Sequence, residues 1–181
     1  MRAKVYWIPG RWPGRLAIVP RPRGGEWLED EMASLREAGL DALVSLLEPA
    51  EAADLGLEKE AHAAAAAGFT FRSFPIADRG VPSSREQMLR LAADLVDALK
   101  DGKNVAIHCR QGIGRSAVVA AGVLISSGED SATAVNAVSA ARGTAVPETD
   151  EQQQWIDDFA TSLPDMLAAQ PRATSDHLDT D

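Results

Sequence analysis

Residues 104–127 read NVAIHCRQGIGRSAVVAAGVLISS, and the order of residue types in this stretch sets the architecture. NVAIHC (104–109) is a short apolar run of the kind that forms a buried strand. SAVVAAGVLISS (116–127) is apolar almost all round, as a buried helix is. The chain turns between them within RQGIGR (110–115). In open α/β sheets, sites lie beyond the carboxyl ends of the strands. The turn therefore stands where a site is expected, and it follows Cys109, the only cysteine of the chain.

Outward from this unit, strand and helix signals alternate. VYWI (5–8) and LAIV (16–19) flank the turn-rich PGRWPGR and predict an N-terminal hairpin. EWLEDEMASLREAG (26–39) has helical apolar spacing and stops at Gly39. DALVSLL (41–47) reads as a buried strand that Pro49 ends, and LEKEAHAAAAAG (57–68) as an alanine-rich helix. FTFRSFPI (69–76) alternates as a half-buried strand does. SSREQMLRLAADLVDALKDG (83–102) predicts a helix capped by Ser83 or Ser84, with Glu86 and Gln87 three residues on. Two more helices are expected over 131–142 and 149–163. The order implies an α/β fold: a mostly parallel sheet of about five strands with helices on both faces. We expect one domain over residues 1–169 and a polar, disordered tail over 170–181.

Composition narrows the function. A chain of 181 residues is long enough for one domain that needs neither disulfide nor metal to hold it. A single cysteine cannot form an internal disulfide, which points to a reducing compartment, the cytoplasm. One Cys and three scattered His do not make a zinc site, and no other cofactor is implied. The net charge of −9 argues against a nucleic-acid partner. The longest apolar run, AVVAAGVLI (117–125), is too short to cross a bilayer, so no membrane partner is expected. Residues 1–23 carry six Lys and Arg and no acid, a charge that either steers an anionic substrate or decorates a solvated edge.

The loop has the chemistry of an anion site. Backbone N–H groups of a turn entering a helix converge on one point, and the helix dipole adds to their field. Gly112 and Gly114 permit the backbone shapes this requires. Arg115 can fork two N–H donors onto two phosphate oxygens. The same field favours a thiolate at Cys109, placed behind the phosphorus of a bound phosphoryl group.

His108-Cys109, five residues, then Arg115-Ser116 resembles the HCX5R[S/T] signature of protein tyrosine phosphatases. The GxGRS ending is similar to the compact dual-specificity type, above all to cyclin-dependent-kinase-associated phosphatases and their bacterial relatives. The resemblance covers roughly residues 20–160. It implies that Cys109 is the nucleophile, that Arg115 binds the phosphate, and that the amides of Arg110, Gln111, Gly112, Ile113, Gly114 and Arg115 form the cradle. His108 orients the loop. Ser116 stabilises the departing thiolate, caps the next helix, or does both. The resemblance also asks for an acid about thirty residues before the cysteine. Asp78, in FPIADRGVPSS (74–84), stands 31 residues upstream, although Ala77 replaces the Pro often found there.

Thr149-x-x-Gln152 reads either as a capping box alone or as a capping box whose glutamine also positions water. In some tyrosine phosphatases a similar T-x-x-Q supplies a glutamine that places the hydrolytic water. Arg23 stands either at a second anionic group or on a solvated turn. Glu48 and Glu51 follow the third strand at the rim, without an assigned role. His62 reads as an exposed helix residue, and Trp27 and Trp155 as core or groove. The expected function is therefore phosphomonoester hydrolysis, on a phosphorylated protein or a small phosphomonoester. The alternative is a non-catalytic phosphate-binding module of the same fold. An arsenate reductase would usually need a resolving cysteine, and a rhodanese-type sulfurtransferase would lack the Arg-Ser ending and the upstream Asp.

Overall fold

The computed structural model describes residues 3–169; the tail expected over 170–181 lies outside the described residues. The elements are β1 (Tyr6–Ile8), β2 (Leu16–Ile18), α1 (Leu28–Glu37, entered through a 3-10 turn, Gly25–Trp27), β3 (Ala42–Ser45), α2 (Pro49–Asp54), α3 (Glu60–Ala66), β4 (Thr70–Ser73), α4 (Arg85–Lys100), β5 (Val105–His108), α5 (Arg115–Ser126), α6 (Ser131–Arg142) and α7 (Asp150–Ala169). They form a five-stranded sheet in the order β1-β2-β5-β3-β4. Only the β1–β2 pair is antiparallel. This is the expected α/β fold.

β5 occupies the centre because all four of its side chains are apolar or buried. Its register sets Val105 opposite both Leu16 and Ala42, and Ile107 opposite both Ile18 and Val44. Side chains alternate between faces with period two. Leu16, Ile18, Val44, Val105 and Ile107 therefore pack beneath α4 to α7, whereas Ala17, Leu43 and Ala106 face α1 and α3. α5 is buried along nearly its whole length, as its unbroken apolarity requires.

Local signals hold where both partners are near in sequence. Ser84 Oγ accepts from the Gln87 amide at 3.2 Å and caps α4. Asp130 caps α6 through the Thr133 amide at 2.8 Å, and Gly143 closes that helix at φ 69°.

The structure corrects four boundaries. Pro49 does not merely end a strand: it opens α2 from its first turn, where its missing N–H costs nothing. α3 is shorter than the expected 57–68. β4 is confined to Thr70–Ser73 and is largely exposed, because it is the sheet edge; Phe69 and Ile76 beside it are the buried positions. α7 continues through Pro164 to Ala169, past the expected end at 163, with Leu163 and Met166 packed on the core.

Candidate active site

The carboxyl ends of the parallel strands β3, β4 and β5 share one edge of the sheet, and the connections that follow them converge there. Cys109 leaves the end of β5 with its side chain buried, and its Sγ accepts from the Gly112 amide at 3.2 Å. Gly112 holds φ +71°, and a Cβ there would press on Ile18 Cγ2 at 3.0 Å. Gly114 has a different reason. A Cβ on it would lie 2.9 Å from both the Gln152 amide nitrogen and a Glu148 carboxylate oxygen.

Arg115 opens α5, is 2 % exposed, and is gripped from three directions. Nη1 donates to Glu51 Oε2 at 2.7 Å and to the Ile76 carbonyl at 3.0 Å. Nη2 donates to Glu51 Oε1 at 2.9 Å and to Asp78 Oδ1 at 3.1 Å. Burial alone would lower the guanidinium pKa. The hydrogen bonds to Glu51 and the nearby charges of Cys109, Glu51 and Asp78 outweigh it, and the net direction is up. Glu51 moves the other way. The hydrogen bonds from Arg115, against the opposing effect of burial, hold its carboxyl below the ordinary 4.5, helped by the charges of Arg115 and Arg110.

Asp78 sits on a turn that the Gly80 amide closes onto the Ala77 carbonyl at 2.8 Å. Arg79 in that turn is left-handed, at φ 59°, and pairs with Glu148 at 3.0 Å. Asp78, Cys109, Arg110, Gln111, Ile113, Gly114 and Arg115 line one cleft of about 170 Å³, with Arg79 and Glu148 at its edge. The fold thus brings together Cys109, the loop, Arg115 and Asp78, as expected from sequence.

Gln152 completes its capping box. Its amide N–H donates to Thr149 Oγ1 at 3.2 Å, and Oε1 accepts from the Thr149 amide at 3.2 Å. Oε1 also accepts from the Glu148 amide at 3.1 Å, and Nε2 donates to the Gly80 carbonyl at 3.0 Å. The side chain therefore ties the acid turn to α7 while packing on Gly114. Ser116 is corrected as a cap: the N-cap of α5 is Gly114 and carries no side-chain bond. The Ser116 hydroxyl is wholly buried and has no hydrogen-bond partner in the structure.

Arg142 gives no sign of itself in the sequence. From the end of α6, Nε donates to the Gly112 carbonyl at 2.7 Å, while the guanidinium lies 3.8 Å from the ring centre of Tyr6. His108 faces Glu60. Of the two rim glutamates, Glu51 holds Arg115, whereas Glu48 is exposed. Arg23 pairs with Glu31 at 2.6 Å and lies over the Trp27 ring, which is 48 % exposed, so both stand apart from the cleft lining. Trp155 stacks on Phe159 in the core, and His62 is exposed. Among the described residues no cluster of potential metal ligands occurs, and no helix is long and apolar enough to cross a membrane.

No curated protein matches the chain. Among solved structures, a kinase associated phosphatase with serine substituted for its catalytic-site cysteine superposes with a TM-score of 0.80 at 20 % identity, over 94 % of this chain and 99 % of that one. Tk-PTP in its active form gives 0.73 at 29 % identity, over 89 % and 99 %. PTPMT1 in complex with PI(5)P gives 0.68 at 17 % identity, over 84 % and 92 %. Residues 19–129 match the family described as a DSP-PTPase phosphatase of polymorphic toxin systems. That match takes in β3, the acid turn, the cysteine loop and α5, and the chain belongs to this family of cysteine-dependent dual-specificity phosphatases.

Proposed function

We propose that the chain hydrolyses phosphomonoesters through a cysteinyl-phosphate intermediate formed on Cys109. The substrate phosphoryl group sits on the amides of residues 110–115 and on Arg115, taking over the Nη2 donor that now faces Asp78. The Cys109 thiolate attacks phosphorus, the S–P bond forms and the P–O bond to the leaving group breaks. Asp78 supplies the proton that the leaving oxygen needs. Water then attacks phosphorus, Asp78 takes its proton, and the S–P bond breaks to return the thiolate. Ser116 donates to that thiolate as it departs. Its unpartnered hydroxyl supports this role, since a buried donor left unmade costs about 1–3 kcal/mol.

The observation that carries this reading is that Asp78 Oδ1 stands 3.1 Å from Arg115 Nη2, in the cleft that Cys109 also lines. Glu51 already holds Arg115, so the exposed Asp78 carboxyl is left for a proton transfer that a binding module does not need. Gln152 braces the loop; a water-positioning role would require its amide to leave Gly80 or Glu148.

We take the substrate to be a phosphorylated protein first, or a small phosphomonoester. The cleft is small, and Ile113 is its one apolar wall. The loop carries Arg110 but no Lys, which disfavours an inositide, although PTPMT1 with PI(5)P shares the fold. A thiolate nucleophile must stay reduced, and this supports a reducing compartment such as the cytoplasm.

The deciding experiment is hydrolysis of para-nitrophenyl phosphate between about pH 4.5 and 8, reduced and metal-free, by wild type and Cys109→Ser. Turnover lost in the variant supports the mechanism. An inactive, well-folded wild type that still binds inorganic phosphate favours the binding module.

A further inference from the structure

His108 is the residue immediately before the nucleophile, and it ends β5 opposite Ser45 of β3. Strand alternation turns its side chain to the face of α1 and α3, the face Ala106 also meets, while Cys109 belongs to the other face. Glu60, in the first turn of α3, lies there with Oε1 2.8 Å from His108 Nε2. Both side chains are buried, at 0 % and 4 % exposure. Neither ring nitrogen nor Oε1 makes a well-aligned hydrogen bond, so close contact rather than a directed bond joins the two.

Among the described residues no other charged side chain on that side is recorded against either group. Arg36 pairs with Asp41, Arg23 with Glu31, and Glu51 with Arg115. Glu29, Asp30, Glu37, Glu58, Lys59 and His62 are exposed. Burying an acid and an imidazole against each other is costly, charged or not, and such a polar pair generally stabilises no more than apolar residues of the same volume. Stability alone therefore gives little reason for a carboxylate at position 60.

We propose that Glu60 is a positioning residue for catalysis: its carboxylate fixes the His108 ring behind the sheet and so fixes the strand-to-loop corner from which Cys109 attacks. The proposal rests on the phosphatase mechanism above. A small misplacement of a nucleophile costs far more rate than stability, up to about 100-fold per ångström.

The test uses Glu60→Leu, Glu60→Gln, Glu60→Asp, His108→Asn and the Glu60→Leu/His108→Asn double variant. Each is read by thermal melting, by kcat and KM on para-nitrophenyl phosphate, and by affinity for inorganic phosphate. Glu60→Leu should melt within a few degrees of wild type, yet lose about tenfold in kcat with a smaller change in KM. Glu60→Asp should recover part of that loss. The double variant should fall no further than His108→Asn alone, because the two side chains act as one unit. A ring N–H resonance of His108, present in wild type, should shift or vanish in Glu60→Gln.

Unchanged kcat in both Glu60→Leu and Glu60→Gln would overturn the proposal, as would losses that simply add in the double variant. Should Glu60→Leu not fold, Glu60→Gln and Glu60→Asp decide by the same criterion. An inactive wild type would count against the hydrolytic reading instead. Phosphate affinity then tests the positioning role alone: a loss in Glu60→Gln supports it, and no change overturns it.

Discussion

The two loops that meet over the cleft are built in opposite ways. The cysteine loop exposes Arg110 and Gln111 but buries Cys109, Gly112, Gly114 and Arg115, which are held from several directions. Ile18 lies beneath Gly112, Arg142 binds its carbonyl, and Glu51 holds Arg115. The acid turn is exposed. The Asp78 side chain is 63 % accessible, Arg79 adopts a left-handed backbone, and the turn is tied by Arg115, by Gln152 and by an ion pair to Glu148. A nucleophile must meet phosphorus in line, so its loop gains from rigidity. A general acid must reach leaving groups of different shape, and an exposed turn on few tethers gives it that latitude.

The comparison breaks most completely at the cysteine. Cys109→Ser should show no turnover while inorganic phosphate still binds, as calorimetry would reveal; residual metal-free activity would place the nucleophile elsewhere. Asp78→Asn is expected to lose about 10²–10⁴ in kcat on an alkyl phosphate, whose leaving group needs the proton, and much less on para-nitrophenyl phosphate. Equal losses on the two substrates would remove Asp78 from the acid role.

Smaller effects sharpen the contrast between a loop with buried anchors and an exposed turn. Arg142→Leu removes a charged donor from the Gly112 carbonyl, and denaturant unfolding should show a loss of about 1.5–3 kcal/mol with a raised KM. Glu51 carries a pH signature. Its folded pKa lies below its ordinary 4.5, so the stability it contributes is fully present above that value and fades as pH falls through the folded pKa. Melting temperature against pH should therefore drop more steeply in wild type than in Glu51→Gln over that acidic window. Arg79→Gly should change least. Relief of about 1–2 kcal/mol of left-handed strain offsets an exposed ion pair worth about 0–1 kcal/mol, so melting should rise slightly and kcat should barely move. A large loss there would mean that the acid turn is held as tightly as the cysteine loop.

Much of this protein was legible in the order of its residues. A strand, a six-residue turn and a buried helix follow one another between residues 104 and 127, so their contacts are local and their chemistry is contiguous. The same holds for the caps at Ser84 and Asp130 and the stop at Gly143, where each partner lies within a few positions. Spacing and turn context single out Asp78 as a candidate only once the resemblance is in view; its place in the cleft comes from the fold.

What holds those groups in place was decided only by the fold. Glu51 and Arg115 are 64 positions apart, Arg142 and the Gly112 carbonyl 30, and Gln152 and the Gly80 carbonyl 72. A glutamate in an alanine-rich helix reads as a solvated residue until α3 packs on the sheet and turns Glu60 onto His108. Sequence periodicity reports which side of an element is buried. Which buried side chains meet depends on strand order and helix placement, and those follow from packing the entire chain at once.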